Sequence, residues 1–317
     1  MRRKKAKRNV SQKTGITRKT VIVLGVVVLV VACVCLITFA PRTPKTNELK
    51  PRTLEELLAL PDESLAKVDI ARMNLLCATG LPHAENIDVD KYLATLDEWA
   101  KIIWEDNEKR AVAYYRNPAK YENSLSKFKA VNMVLVIQQQ LRCGYNMELI
   151  RSGAMQDYTS LRFNEDSRDI FIHGLVERQK GSCASLPVLV VALGRRCGYP
   201  LYLVSAKGHP FVRWEDDKER FNIEAAMRGT DIYPDEHYHD WPFPTDEEER
   251  AKEKFLKTHT PVEELCMFMH VRGSCLHSHN RFREAEEAYT VYLRGFPESR
   301  FIHGFIAEVQ RKARWAQ

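Results

Sequence analysis

Cys183 is the residue whose sequence surroundings most clearly favour covalent chemistry. It lies in the small-residue segment Gly-Ser-Cys-Ala-Ser, immediately before an apolar helix predicted over 184–196. Unpaired N–H groups and the positive end of the dipole at a helix start favour an anion, and therefore the thiolate form of a cysteine. A thiolate attacks carbonyl carbons, so Cys183 is a candidate nucleophile.

His209 and Glu224 are the two further residue types that such a nucleophile needs. The sequence predicts strands over 201–206, 210–214 and 220–224, with His209 after the first strand and Glu224 at the end of the third. A thiol, an imidazole and a carboxylate that orients the imidazole are the components of a Cys-His-acid triad. The expected reaction is acyl transfer from an amide through a thioester. Water as acceptor would make the protein a peptidase or amidase, an amine would make it a transglutaminase, and we expect no cofactor.

Two other residues are secondary candidates for such a site. Asn222 lies two residues before Glu224 and shares its face of the predicted strand, so either side chain can face His209. A carboxylate stabilises an imidazolium more than a neutral amide does, which favours Glu224 as the third triad member. Gln179 lies just upstream of Cys183 and is a candidate to assist its backbone N–H in binding an oxyanion.

The same residues also have a non-catalytic interpretation. Cys183 can be a small buried residue at a tight turn, and His209 can cap a strand. The domain would then be an inactive interaction module. The order of the three residue types on their predicted elements favours catalysis over this alternative.

Three segments around the candidate triad have a characteristic sequence, namely Gly-Ser-Cys-Ala-Ser-Leu-Pro-Val-Leu, Gly-Tyr-Pro-Leu-Tyr-Leu-Val and Gly-His-Pro-Phe-Val-Arg-Trp. They resemble the transglutaminase-like cysteine superfamily, and more closely its SirB-type branch. The resemblance continues upstream and covers about residues 54–240. It implies an α+β fold in which the Cys-bearing helix packs on an antiparallel sheet, as in papain-like cores. Glu224 stands where that superfamily usually has Asp, and Pro210 stands where a small residue is usual.

The positive charge of the chain is concentrated at its N-terminus. The net charge is +6 over 317 residues, but residues 1–19 contain nine basic residues and no acidic one, so the remainder carries −3. A mildly acidic body does not favour binding to nucleic acid, and we expect no nucleic-acid partner.

Residues 20–40 form an uncharged apolar segment about as long as a transmembrane helix. The basic residues before it predict a cytoplasmic N-terminus, with residues 41–317 on the other side of the membrane. A signal peptide cleaved after Ala40 and a lipoprotein site at Cys33 are alternatives. Pro41 and the apolar residues after Cys33 disfavour them, so we expect a single-pass anchor.

The rest of the chain divides into a linker, a mixed domain and a helical segment. The predicted bounds are 41–52 for the linker, 53–162 for a helical part and 163–244 for a catalytic-type core of one domain, and 245–317 for the final segment. These assignments follow the apolar periodicity and the proline-rich stretches.

The C-terminal segment resembles a single tetratricopeptide repeat. Gly273, Ala285, Tyr289 and Pro297 fall at the offsets of such a helix pair. One repeat cannot form a solenoid alone, so we expect a helical hairpin that packs on the preceding domain and offers a contact for a peptide or protein.

Cysteines other than Cys183 have no metal-binding pattern. The sequence contains no CxxC motif or Cys/His ladder, so we expect no metal site. In the predicted helical contexts a cysteine is most often a small buried hydrophobe, and we expect this of Cys77, Cys143, Cys197, Cys266 and Cys275.

Overall fold

The computed structural model describes residues 48–153, 161–226 and 230–315. The basic tail, the predicted anchor over 20–40 and most of the predicted linker lie outside these residues. Within the described ranges, no helix combines the length and the apolar character needed to cross a membrane.

The N-terminal part of the described chain is helical, as predicted. Its helices are α1 (Leu54–Leu58), α2 (Ile70–Ala78), α3 (Val89–Arg116), α4 (Leu125–Gln139) and, after the short strand β1 (Gly144–Tyr145), α5 (Met147–Arg151). Thr53 caps α1 by accepting the Glu56 N–H at 3.2 Å. Helices α3 and α4 are separate elements. Helix α3 ends at Arg116, because Pro118 follows and lacks the N–H that a continuing helix needs.

The central part contains the Cys183 helix and an antiparallel sheet. Its elements are α6 (Ser167–Ile170), α7 (Ile172–Arg178), β2 (Lys180–Gly181), α8 (Leu186–Arg196), β3 (Leu201–Ala206), β4 (His209–Glu215) and β5 (Arg220–Ile223). The sheet order is β3-β4-β5, antiparallel throughout, and the short strands β1 and β2 pair in parallel. Every residue of α8 from Leu186 to Gly194 is buried, which agrees with an apolar sequence on all sides of that helix.

Helices form the last part of the described chain. They are α9 (His237–Asp240), α10 (Glu247–Lys252), α11 (Pro261–Ser278), α12 (Phe282–Tyr292) and α13 (Arg300–Trp315). Between the sheet and α10, the only helical element that the structure describes is the single turn α9. Helices α11 and α12 pack closely at Gly273, where a Cβ atom would lie 2.6 Å from the Tyr289 ring. The tetratricopeptide assignment itself stays a prediction.

One hydrophobic core extends through both helical parts and the sheet. It includes Leu76 of α2, Leu189 of α8, Val212 of β4 and Leu276 of α11. Contact between α2 and α11 is direct, since the Cys77 thiol lies 3.7 Å from the Met269 sulfur. The sheet and α8 therefore lie on a helical support, and this support fixes the turn that carries Cys183.

Candidate active site

Cys183 lies in a tight turn that ends where α8 begins. The helix was predicted to begin at residue 184, but it begins at Leu186. Cys183 therefore lies just before its first turn. The Ser182 N–H donates to Ser185 Oγ at 3.0 Å, and that hydroxyl donates to the Asp169 carbonyl at 2.8 Å. Gly181 has no space for a side chain, because a Cβ atom would lie 2.4 Å from Ser185 Oγ. The turn is thus fixed on both sides of Cys183.

His209 and Glu224 form a buried hydrogen-bonded pair beside this turn. His209 Nε2 lies 2.8 Å from Glu224 Oε2, and the two residues are 3% and 1% exposed. The other carboxylate oxygen of Glu224 accepts the Ala226 N–H at 2.9 Å. Cys183, 4% exposed, lies close enough to His209 to affect its protonation. Because Glu224 engages Nε2, Nδ1 is the ring nitrogen left for the thiol.

The charge state of His209 follows from these contacts. Burial alone would lower the pKa of His209, but the hydrogen bonds to Cys183 and Glu224 and the charges of both raise it to about 9. His209 is therefore an imidazolium at neutral pH. A cation beside a cysteine sulfur is the arrangement that activates cysteine nucleophiles.

Two aromatic rings pack against the His209 imidazole. The Trp241 ring meets His209 edge-on at 4.6 Å, and Tyr238 is parallel to it at 6.4 Å. The Tyr238 hydroxyl donates to Glu224 Oε2 at 3.4 Å, and its ring stacks on Phe211 at 3.9 Å. These two rings, Tyr238 and Trp241, form an aromatic wall that excludes water from His209. The exclusion of water strengthens the electrostatic interaction between His209 and its partners.

Asn222 and Gln179 have other partners. Asn222 Oδ1 accepts from Arg213 Nε at 2.9 Å, and its amide donates to Asp235 at 2.8 Å. Gln179 is exposed at the end of α7 with φ of 56°, and its amide donates to the Val176 carbonyl at 3.4 Å. The geometry thus brings Glu224 rather than Asn222 to His209, and it directs the Gln179 amide onto its own helix.

Tyr145 is a site residue that the sequence reasoning missed. Its hydroxyl hydrogen-bonds both the side chain and the backbone N–H of Cys183. Burial and the charge of Cys183 raise the pKa of Tyr145. It reaches the turn because β1 pairs with β2 in a register that sets Tyr145 opposite Gly181. A two-residue strand has no periodic signal, so no sequence pattern indicated this contact.

A pocket of about 180 Å³ opens beside Tyr145. Its lining is mostly apolar, with Leu186 and Val190 of α8 on one side and Ala225 on another, and Arg142 at an exposed position. Drug-sized ligands usually need at least about 300 Å³, so the pocket suits one side chain better than a whole small molecule.

The other cysteines differ from Cys183 in their surroundings. Burial raises the pKa of each to about 12, and this applies to Cys77, Cys143, Cys197, Cys266 and Cys275. No disulfide joins any of the cysteines that the structure describes. Over the same ranges, no group of three His, Cys, Asp or Glu side chains is arranged to hold a metal ion.

Comparison with known proteins identifies the family of the chain. Residues 90–263, more than half of the chain, match the profile of the transglutaminase-like superfamily. The chain belongs to that superfamily. No curated protein and no solved structure matches the sequence.

Proposed function

We propose that this protein is a cysteine-dependent enzyme that transfers the acyl group of an amide, with a peptide or protein as substrate. Cys183 is the nucleophile, His209 the general base and acid, and Glu224 the residue that orients the imidazole. The observation that carries the proposal is the buried His209 Nε2–Glu224 Oε2 contact of 2.8 Å, with Cys183 beside the same ring.

The reaction proceeds in two steps. Cys183 Sγ attacks the amide carbon, the new C–S bond forms and the carbonyl electron pair moves onto oxygen. The His209 imidazolium then donates its proton to the amide nitrogen, the C–N bond breaks, and a thioester remains. In the second step neutral His209 takes a proton from water or an amine, which attacks the thioester and releases the cysteine.

Selective alkylation of Cys183 tests this proposal. Iodoacetamide at pH 7, followed by mass spectrometry of the peptides, is expected to modify Cys183 on the order of 10²-fold faster than any other thiol, because thiolates are the reactive form. Cys143 is the matched control thiol, since it lines the adjacent pocket but has a pKa raised to about 12. Cys183→Ala should remove the fast reaction. Equal rates at Cys183 and Cys143 would instead favour the inactive interaction module.

The N-terminal segments and the finer family assignment are part of the proposal. Residues 20–40 would anchor the chain once in the membrane, with the enzyme domain outside the cytoplasm. The three motifs around the triad support a SirB-type member of the superfamily. The close packing of Gly273 on Tyr289 supports a tetratricopeptide-like hairpin at the C-terminus, where a peptide or protein could bind.

Limited proteolysis tests the anchor. Protease added to cells with a permeable outer barrier is expected to degrade residues 41–317 while an epitope placed before residue 20 stays intact. Protection of the enzyme domain until the membrane is dissolved would contradict this orientation.

A further inference from the structure

The Tyr145 hydroxyl makes two hydrogen bonds at the nucleophile. It accepts the Cys183 backbone N–H and donates to the Cys183 side chain. The backbone N–H of a nucleophilic residue at a helix start is the usual first donor to an oxyanion. The Tyr145 hydroxyl is therefore beside both the attacking sulfur and the N–H to which a carbonyl oxygen would bind.

The position of Tyr145 is set by backbone contacts rather than by a flexible loop. The Asn146 N–H donates to the Gly181 carbonyl at 2.7 Å, and the Gly144 N–H donates to the Gln179 carbonyl at 3.0 Å. The Asn146 amide also donates to Asp169 Oδ1 at 3.0 Å. Because the Cys183 turn is tied to the Asp169 carbonyl through Ser185, the tyrosine and the nucleophile share one support.

Negative charge moves from sulfur to oxygen during the attack, and the Tyr145 O–H can donate to each of these atoms in turn. In the thiolate form that attacks, the negative charge is on Sγ, to which the phenol donates. When the C–S bond forms, the sulfur loses its negative charge and the carbonyl oxygen, two bonds away from the sulfur, gains it. The phenol then has a stronger acceptor within reach, and once it shifts from the sulfur to that oxygen, the Cys183 N–H, which the fixed turn holds in place, can donate to the same oxygen.

We propose that Tyr145 is a catalytic residue whose hydroxyl, together with the Cys183 N–H, stabilises the oxyanion of the acyl-transfer intermediate. Gln179 does not take this role because its amide is directed onto Val176. The inference rests on the proposed function of Cys183 as nucleophile.

Two reactions of the full chain separate the oxyanion from the thiolate. Acylation by p-nitrophenyl acetate passes through an oxyanion but needs no proton donor for its leaving group, whereas alkylation by iodoacetamide forms no oxyanion. We expect Tyr145→Phe to lower the acylation rate by on the order of 10²-fold, the usual effect of removing one oxyanion donor. The plateau rate of alkylation at high pH should stay within about threefold, because it reports the thiolate alone.

Tyr199→Phe is the matched control. Tyr199 is also buried, but its hydroxyl accepts from Asn107 at 2.7 Å and has no bond to Cys183 among the described contacts, so neither rate should change. Unchanged or faster acylation in Tyr145→Phe would overturn the inference, and faster acylation would mean that the phenol occupies the oxyanion position and must leave it. A wild-type Cys183 that alkylates no faster than Cys143 would be a failure of the proposed function itself.

Discussion

Glu224→Gln is expected to reduce amide acyl transfer by Cys183 on the order of 10³-fold at pH 7, since replacing the orienting acid of such a triad by its amide can cost up to about 10⁴-fold. Gln keeps the shape and one hydrogen-bond acceptor but removes the charge that opposes the burial of His209. The buried imidazole then loses its proton more easily. It can no longer hold a thiolate beside it or protonate the leaving amine.

The pH profile gives this prediction a second readout. Because the pKa of His209 is raised to about 9, the imidazolium is present below that value and is lost as the pH rises through it. Amide transfer by the wild type should therefore fall above about pH 9, while alkylation of Cys183 should not. In Glu224→Gln the fall should begin at lower pH.

Asn222→Ala is the control for the same strand. Asn222 bonds Arg213 and Asp235 rather than His209, so the alkylation rate per folded molecule should be unchanged even though the melting temperature falls. If Asn222→Ala slowed alkylation and Glu224→Gln did not, the orienting role would belong to Asn222.

Asp235→Ala is expected to lower the free energy of unfolding by about 3 kcal/mol, because removing one partner of a buried ion pair leaves an uncompensated charge. The Arg213 side chain is fully buried, and Asp235 Oδ1 lies 2.5 Å from its Nη2. Burial lowers the pKa of Arg213, and Asp235 opposes that effect. Asp235 itself is 29% exposed, so we expect the lower end of the usual cost of about 3–5 kcal/mol.

Urea denaturation followed by circular dichroism measures this change. Asp217→Ala, an exposed carboxylate in the neighbouring β4–β5 turn, is the matched control and should stay within about 0.5 kcal/mol of the wild type. Asp235 also precedes the turn that carries Tyr238 and Trp241, so its loss should loosen the wall around His209 and slow Cys183 alkylation. A stability equal to that of Asp217→Ala would show that Arg213 is satisfied by its other partners.

The sequence was sufficient for the parts of the site that are set by local pattern. The apolar helix after Cys183 and the alternating strands around His209 lie close to their predicted bounds because each pattern is contained within a few residues. Tyr145 could not be found in this way, since its position depends on pairing between segments about 35 residues apart in the chain. The burial of Arg213 could not be predicted either, because a charged residue in a strand usually faces solvent. Here three neighbouring segments accept hydrogen bonds from its guanidinium.

The enclosure of the site affects which acyl acceptor, water or an amine, reacts with the thioester. Cys183 and His209 are almost completely buried, and aromatic rings cover one side of the imidazole. A thioester formed there would not meet bulk water freely, so its lifetime would depend on what enters through the remaining opening. Hydrolysis and aminolysis would then be competing branches from one intermediate. The branching ratio would be governed by entry of the acceptor and not by a difference in catalytic residues, so one site of this design can act as a hydrolase or as a transferase.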